Sequence, residues 1–170
     1  ADVTIDGGTT ALQIAASTVD GDLTLTSGNA SGITDTGTVT VGGNFSATTD
    51  ANNGVINVGT MAVDGTFTLA PNGNGAVTIV NDAGLTLAAS TMGGTFSGTA
   101  TTGNITDTGA LAITGTTTLV TSANDATIAL DTTTNAFTGA MTITTNDASG
   151  TDADVTIDGG TTALQIAAST

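Results

Sequence analysis

Aspartate is the only ionisable side chain in this sequence, so any chemistry the chain performs has to start from its 15 carboxylates. Lys, Arg, His, Cys, Tyr and Trp are all absent, and the formal charge is −15. Without imidazole or thiolate there is no general base near pH 7, no sulfur nucleophile and no zinc site of the usual type. Without a cation, phosphates go unneutralised, so nucleic acid and anionic membrane surfaces are electrostatically opposed as partners. Carboxylates alone can still hydrolyse glycosides in pairs, but no aromatic platform or cationic partner accompanies them here. The chain is therefore expected not to be an enzyme and to have no catalytic residue. Carboxylates can also bind hard cations. Asn146, Asp147, Ser149, Asp152, Asp154 and Asp158 concentrate oxygen ligands of the kind calcium takes. Asp147, Asp152, Asp154 and Asp158 are the candidate metal ligands and calcium the one candidate cofactor, although turn formation and solubility account for the same residues. Asn72-Gly73-Asn74-Gly75 is rich in glycine but lacks the Lys of a phosphate loop, which makes it a turn.

Hydroxyls supply the other candidate surface. Thr24, Thr26, Ser46, Thr48, Thr66, Thr68, Thr95, Ser97, Thr99, Thr116, Thr118, Thr142 and Thr144 occupy outward positions of similar short segments and are expected to line one face. The high strand propensity of Thr suffices to explain them. A ladder of this kind could also match an ice lattice, carry or bind glycan, or support lateral association.

The elements that must position these groups are short strands. Alternating units such as Val3-Thr4-Ile5, Leu23-Thr24-Leu25, Val39-Thr40-Val41 and Val77-Thr78-Ile79 recur along the chain with the period of a half-buried strand. Gly, Asn, Asp and Ser cluster between them as turns. Nothing reads as a helix, and no apolar run is long enough to span a membrane. The sequence carries no leader-like stretch, so targeting information is expected outside these residues.

Self-similarity decides between architectures. Ala1 to Thr18, ADVTIDGGTTALQIAAST, recurs letter for letter at Ala153 to Thr170, an offset of 152. ITDTG at Ile33 to Gly37 returns at Ile105 to Gly109, an offset of 72. Residues 1–152 thus read as one full period of two divergent halves, and 153–170 as the start of the next. The alternating units fall into three columns of six per period, which predicts an all-β, parallel β-solenoid. This would be a triangular β-helix with three short strands and about 25 residues per coil (152/6). A β-sandwich also has evenly spaced strands, but a closed sandwich has no reason to restart. In the third column Phe45, Phe67 and Phe96 are expected to stack inside, one above another.

The stretch Ile105 to Leu119, ITDTGALAITGTTTL, resembles the repeats of very large bacterial surface proteins of the filamentous haemagglutinin type, as do NAFTGAMTIT at Asn135 to Thr144 and LTLAAST at Leu85 to Thr91. The resemblance implies a secreted right-handed β-helical shaft at the cell surface or outside the cell, serving adhesion or filament formation, with no catalytic residues to carry over. The lack of basic residues departs from a surface that would bind sulfated glycans. The expected function is a structural or adhesive repeat segment of a giant secreted fibre. The alternative is a ligand-binding solenoid for ice, calcium or glycan, using the Thr-lined face or the Asp-rich turns. The expected partners are further copies of the unit, joined end to end or laterally, and a surface or glycan ligand. Nucleic acid and membrane insertion are not expected.

Overall fold

The structure, a computed structural model, describes residues 1–148 and 152–170. The chain winds as a parallel β-solenoid with no helix among the described residues. Coil 1 contains β1 (Val3–Asp6), β2 (Leu12–Ile14) and β3 (Ser17–Val19), and coil 2 contains β4 (Leu23–Ser27), β5 (Ile33–Asp35) and β6 (Val39–Val41). Coils 3 and 4 have two strands each: β7 (Phe45–Thr49) with the long β8 (Ile56–Val63), then β9 (Thr66–Ala70) with β10 (Val77–Asn81). Coil 5 holds β11 (Leu85–Leu87), β12 (Ser90–Met92) and β13 (Phe96–Ala100). Coil 6 holds β14 (Ile105–Asp107), β15 (Leu111–Ile113) and β16 (Thr117–Asn124). Coil 7 holds β17 (Ile128–Leu130), β18 (Ala136–Phe137) and β19 (Met141–Asn146), and β20 (Val155–Ile157) opens coil 8.

Two sheets run the length of the molecule. The first stacks β1-β4-β7-β9-β11-β14-β17-β20, and the second stacks β2-β5-β8-β10-β13-β16-β19. Seven steps from Val3 to Val155 cover 152 residues, so a coil averages about 22 (152/7). That corrects the expected six coils of about 25. The cause lies in β3 and β12, both formed by Ala-Ala-Ser-Thr followed by one large apolar residue. A strand with a single large inward side chain shows no apolar alternation, and the column count passes over it.

A third strand closes most coils, and its position changes midway. In coils 1 to 3 it follows the second sheet: β3 pairs with β6, and β6 with Met61–Val63 of β8. Coil 4 has none. In coils 5 to 7 the stack β12-β15-β18 lies instead between the first and second sheets along the chain. The internal repeat therefore shifts by one leg of the triangle. Ile33 of the first ITDTG stands in the second sheet, whereas Ile105 of the other stands in the first. Leu23 and Phe96, which each open a long strand, exchange sheets in the same way. An offset of 72 residues at 152/7 per turn is about 3.3 turns, which is why like residues land one leg apart.

The core is a continuous column of Val, Ile, Leu, Met and Phe, flanked at the first coil by half-buried Val3, Leu12 and Ile14. Strand alternation sends Leu23, Leu25, Phe45 and Ala47 inward and half-buries the polar residues between them. Phe45 and Phe67 stack edge to face with ring centroids 5.7 Å apart. Phe96 is not above them. It lies in the second sheet, between Val77 and Thr117, so the expected three-ring stack is a pair.

Glycine sets the corners. Gly43 and Gly115, equivalent in the two halves, each sit two residues before a long strand. A Cβ on Gly115 would fall 2.3 Å from the carbonyl oxygen of Gly94 in the coil before, and one on Gly43 would fall 2.3 Å from the Asp22 carboxylate. Backbone meets backbone there, at a distance no other residue permits.

Candidate functional site

The hydroxyl residues do not make one face. Thr24, Ser46 and Thr68 form a file on the first sheet, with Thr26 and Thr48 beside it. Ser97, Thr118 and Thr142 form another on the second sheet, and there Thr99 and Thr144 are separated by Val120. Thr66 is bound into a corner, its hydroxyl donating to Asn44 Oδ1 at 2.9 Å. Thr95 and Thr116 are exposed, just ahead of β13 and β16. The shift by one leg splits the set, because similar segments of the two halves lie in different sheets.

The acidic turn disperses its residues as well. Asp147, Asp152 and Asp154 are exposed and Asp158 is half-buried, while Ser149 lies outside the described residues. Asp158 Oδ1 accepts the Gly160 N–H at 2.7 Å, as Asp6 Oδ1 does that of Gly8 at 2.8 Å. Among the described residues no three carboxylates converge as a metal site would need.

What the carboxylates and amides do instead is link coils. Along one corner the Asp22 N–H donates to Asp2 Oδ1 at 3.0 Å, the Asn44 N–H to Asp22 Oδ1 at 2.7 Å, and the Thr66 N–H to Asn44 Oδ1 at 3.0 Å. The ITDTG aspartates act similarly. Asp35 accepts the N–H groups of Gly59 and Thr60 at 2.9 and 2.7 Å and the Thr60 hydroxyl at 2.6 Å. Asp107 accepts the Asp131 N–H at 3.2 Å and the Asn135 amide at 2.6 Å. Each supplies an acceptor for donors that the short strands leave free at the next corner.

Two seams mark the change of side. The first third-strand stack ends at Val63, and fully buried Asn81 covers it. Asn81 Oδ1 accepts the Val63 N–H at 2.9 Å, and its Nδ2 donates to the carbonyls of Val63 at 3.0 Å and Gly84 at 2.6 Å. A side-chain amide takes the place of the missing peptide group. The next stack starts at Ser90, whose hydroxyl accepts the Leu69 N–H at 3.0 Å and donates to the Ala88 carbonyl at 2.9 Å. Ser169, in the repeated eighteen residues, does the same: it accepts the Ile143 N–H at 3.2 Å and donates to the Ala167 carbonyl at 3.1 Å. Ser90 and Ser169 thus each cap the backbone of a strand in the coil before, and at Ser90 this is where a third-strand stack begins. Sequence reasoning missed both devices, although the recurrence of AAST at 15–18, 88–91 and 167–170 was a visible signal for the second.

Two cavities accompany these features. One of about 260 Å³ lies at the first seam, lined by Thr38, Gly59, Thr60, Met61, Val80, Asp82 and Thr101. The larger, about 450 Å³, is the open end of the coil stack, where Ile143, Val155, Ile157, Leu164 and Ile166 present apolar surface. Val155, Leu164 and Ile166 are 42, 37 and 54 % exposed there, and Ile5 in the first coil is 37 % exposed.

No curated protein and no solved structure matches the chain. A family model described as repeats of unknown function matches residues 1–57 and 74–144. The second segment starts 73 residues after the first, close to the offset of the two ITDTG copies. With a parallel β-solenoid built from two such segments, this chain belongs to the DUF5649 family of repeats.

Proposed function

We propose that the chain is a structural or adhesive, non-catalytic repeat segment in the shaft of a bacterial fibre, at the cell surface or outside the cell. One observation carries this reading. The eighteen residues that repeat the beginning enter the first sheet again, β20 on β17, after a whole number of turns. Successive 152-residue periods would therefore continue one straight stack with all faces aligned. The likeness of ITDTGALAITGTTTL and NAFTGAMTIT to filamentous-haemagglutinin-type repeats supports the extracellular placement. The chemistry agrees with a shaft: carboxylates serve as links between coils, and polar side chains cover the strands. The partners are further copies, end to end or side by side, and a surface or glycan ligand for the exposed hydroxyls. Lateral bundling is opposed by the charge of −15, which salt screens over about 8 Å at physiological strength.

Negative-stain microscopy of chains carrying one, two and four periods tests the shaft. At about 4.8 Å per coil, seven coils add on the order of 34 Å per period at constant width. A length that fails to grow linearly with the number of periods overturns the reading.

A further inference from the structure

Gly59 is a glycine that the fold does not require. Its φ lies outside the left-handed region, and a Cβ built on it would meet no atom within 4 Å. Gly8 is as open, but its φ of 55° accounts for it. Glycine inside a strand weakens it, and commonly marks a bulge or a place where a ligand comes close. The bulge is there. Val58 is level with Ile79 and Met61 with Asn81, so Gly59 and Thr60 of β8 together face Val80 of β10. Val58 and Met61 are buried, and the two residues between them turn outward into the 260 Å³ groove at the first seam. The side chain that Gly59 lacks would stand in that groove.

The walls are held in place. Asp35 accepts both N–H groups of the bulge and the Thr60 hydroxyl, which leaves the Thr60 oxygen as an acceptor facing the groove. Asp82, in the next coil, has an exposed carboxylate that accepts no bond from any described residue. Thr38 adds an exposed hydroxyl, and Val80 a half-buried apolar surface. The volume lies just under the usual lower bound for drug-sized ligands, about 300 Å³, and suits a single ring. A sugar ring matches this lining, because it carries hydroxyls around its rim and C–H groups on its faces. The chain has no Lys, Arg or His and a charge of −15, so a carboxylated or sulfated sugar would find no counter-charge.

We propose that the groove over Gly59 binds one uncharged pyranose ring of a glycan, with Asp82 accepting from its hydroxyls, Thr38 and Thr60 beside them, and Val80 under a C–H face. This rests on the glycan partner named above and gives it a site. No aromatic ring lines the groove, so a single ring binds weakly. About twelve non-hydrogen atoms at ordinary ligand efficiency give a dissociation constant on the order of a few millimolar. Repetition compensates. In the shaft the groove recurs once per 152-residue period, on the order of 34 Å apart, and many weak sites engage a glycan-covered surface together.

Saturation-transfer NMR on the full chain tests the site, with the methyl pyranosides of glucose, galactose and mannose as probes. At least one should show transfer. Gly59→Val, which fills the groove, and Asp82→Ala, which removes its acceptor, should each lower that signal at least fivefold. Circular dichroism should show unchanged strand content in both variants. If Gly59→Val loses strand content, Asp82→Ala, at an exposed position, decides alone. Transfer undiminished in the variants puts the sugar elsewhere, which overturns the groove site and spares the glycan partner. No transfer from any of the three also overturns the site, and a glycan partner would then rest on the hydroxyl files alone. Methyl glucuronide binding as well as the neutral sugars, or methyl glucosaminide binding tenfold more tightly, overturns the uncharged assignment. None of these results bears on the shaft, which is judged by the growth of length with the number of periods.

Discussion

The two halves of this chain carry the same motif and place it in different sheets. Ile33-Thr34-Asp35 pairs within the second sheet and Ile105-Thr106-Asp107 within the first, yet both are followed by a short third strand and then by a long one. Similarity therefore specifies the order of legs inside a unit and leaves the absolute face to whatever joins the units. Here the joint is coil 4, where β9 and β10 follow each other with no third strand, and Asn81 fills the vacancy. The family match has the same grain, covering one segment on each side of residues 58–73.

The joint is where the comparison breaks most readily. Asn81→Leu strands the N–H and C=O of Val63 in a buried setting, and we expect a loss of about 4 kcal/mol, from roughly 1–3 kcal/mol for each unpaired group. Chemical denaturation measures it, and a loss under 1 kcal/mol would show that the seam closes without the amide. The equivalent corners come next. Gly115→Ala pushes a Cβ to 2.3 and 2.4 Å from the Gly94 carbonyl, whereas at Gly43 the nearest backbone atom is the Gly21 carbonyl carbon at 2.7 Å, beside the Asp22 carboxylate at 2.3 Å. We expect about 2–3 kcal/mol for the former, by analogy with overpacking, and about half of that for the latter. Gly59→Ala, with open space around it, should be neutral or stabilising by a few tenths of a kcal/mol in the same melts.

Asp35→Ala removes three acceptor contacts to the coil below and Asp107→Ala removes two. Losses of roughly 2 and 1.5 kcal/mol follow from the usual worth of bonds to a charged acceptor, discounted for partial exposure. Equal or reversed losses would show that the two copies of ITDTG are not doing one job. The smallest effect concerns Thr117, which stands where the other half has Phe45. Its buried hydroxyl has no partner among the described residues. Thr117→Val should raise stability by about 1 kcal/mol, and a lower melting temperature would mean that the hydroxyl is satisfied after all.

Much of this was legible from residue order. Alternation gave the strands, and the eighteen-residue recurrence favoured a solenoid over a closed sandwich. The third strands at Ser17 and Ser90 were not legible by alternation, because Ala and Ser are too small to signal an inward position. The split of the hydroxyl set followed from the same gap: with β3 and β12 missing, like segments were aligned by resemblance, and Phe96 was placed above Phe67 when it belongs to the next sheet. The acidic residues were read as cation ligands, turn formers or solubilisers. Their hydrogen bonds to backbone twenty or more residues away depend on coil length, which residue types alone do not disclose. Glycine suffered similarly. Read as a turn former, it proves at Gly115 to be a spacing element between coils.

The vacancy in coil 4 also bears on how such a shaft would behave under load. A pull along the axis acts on the coil interfaces in series, while the hydrogen bonds within one interface share the force. Most interfaces engage three strands. The two that flank coil 4 pair two strands each, with the amide of Asn81 standing in for the third on one side and the hydroxyl of Ser90 on the other. Each 152-residue period would thus carry a built-in point of first yielding, and a long array would extend stepwise, one period at a time, before it parted.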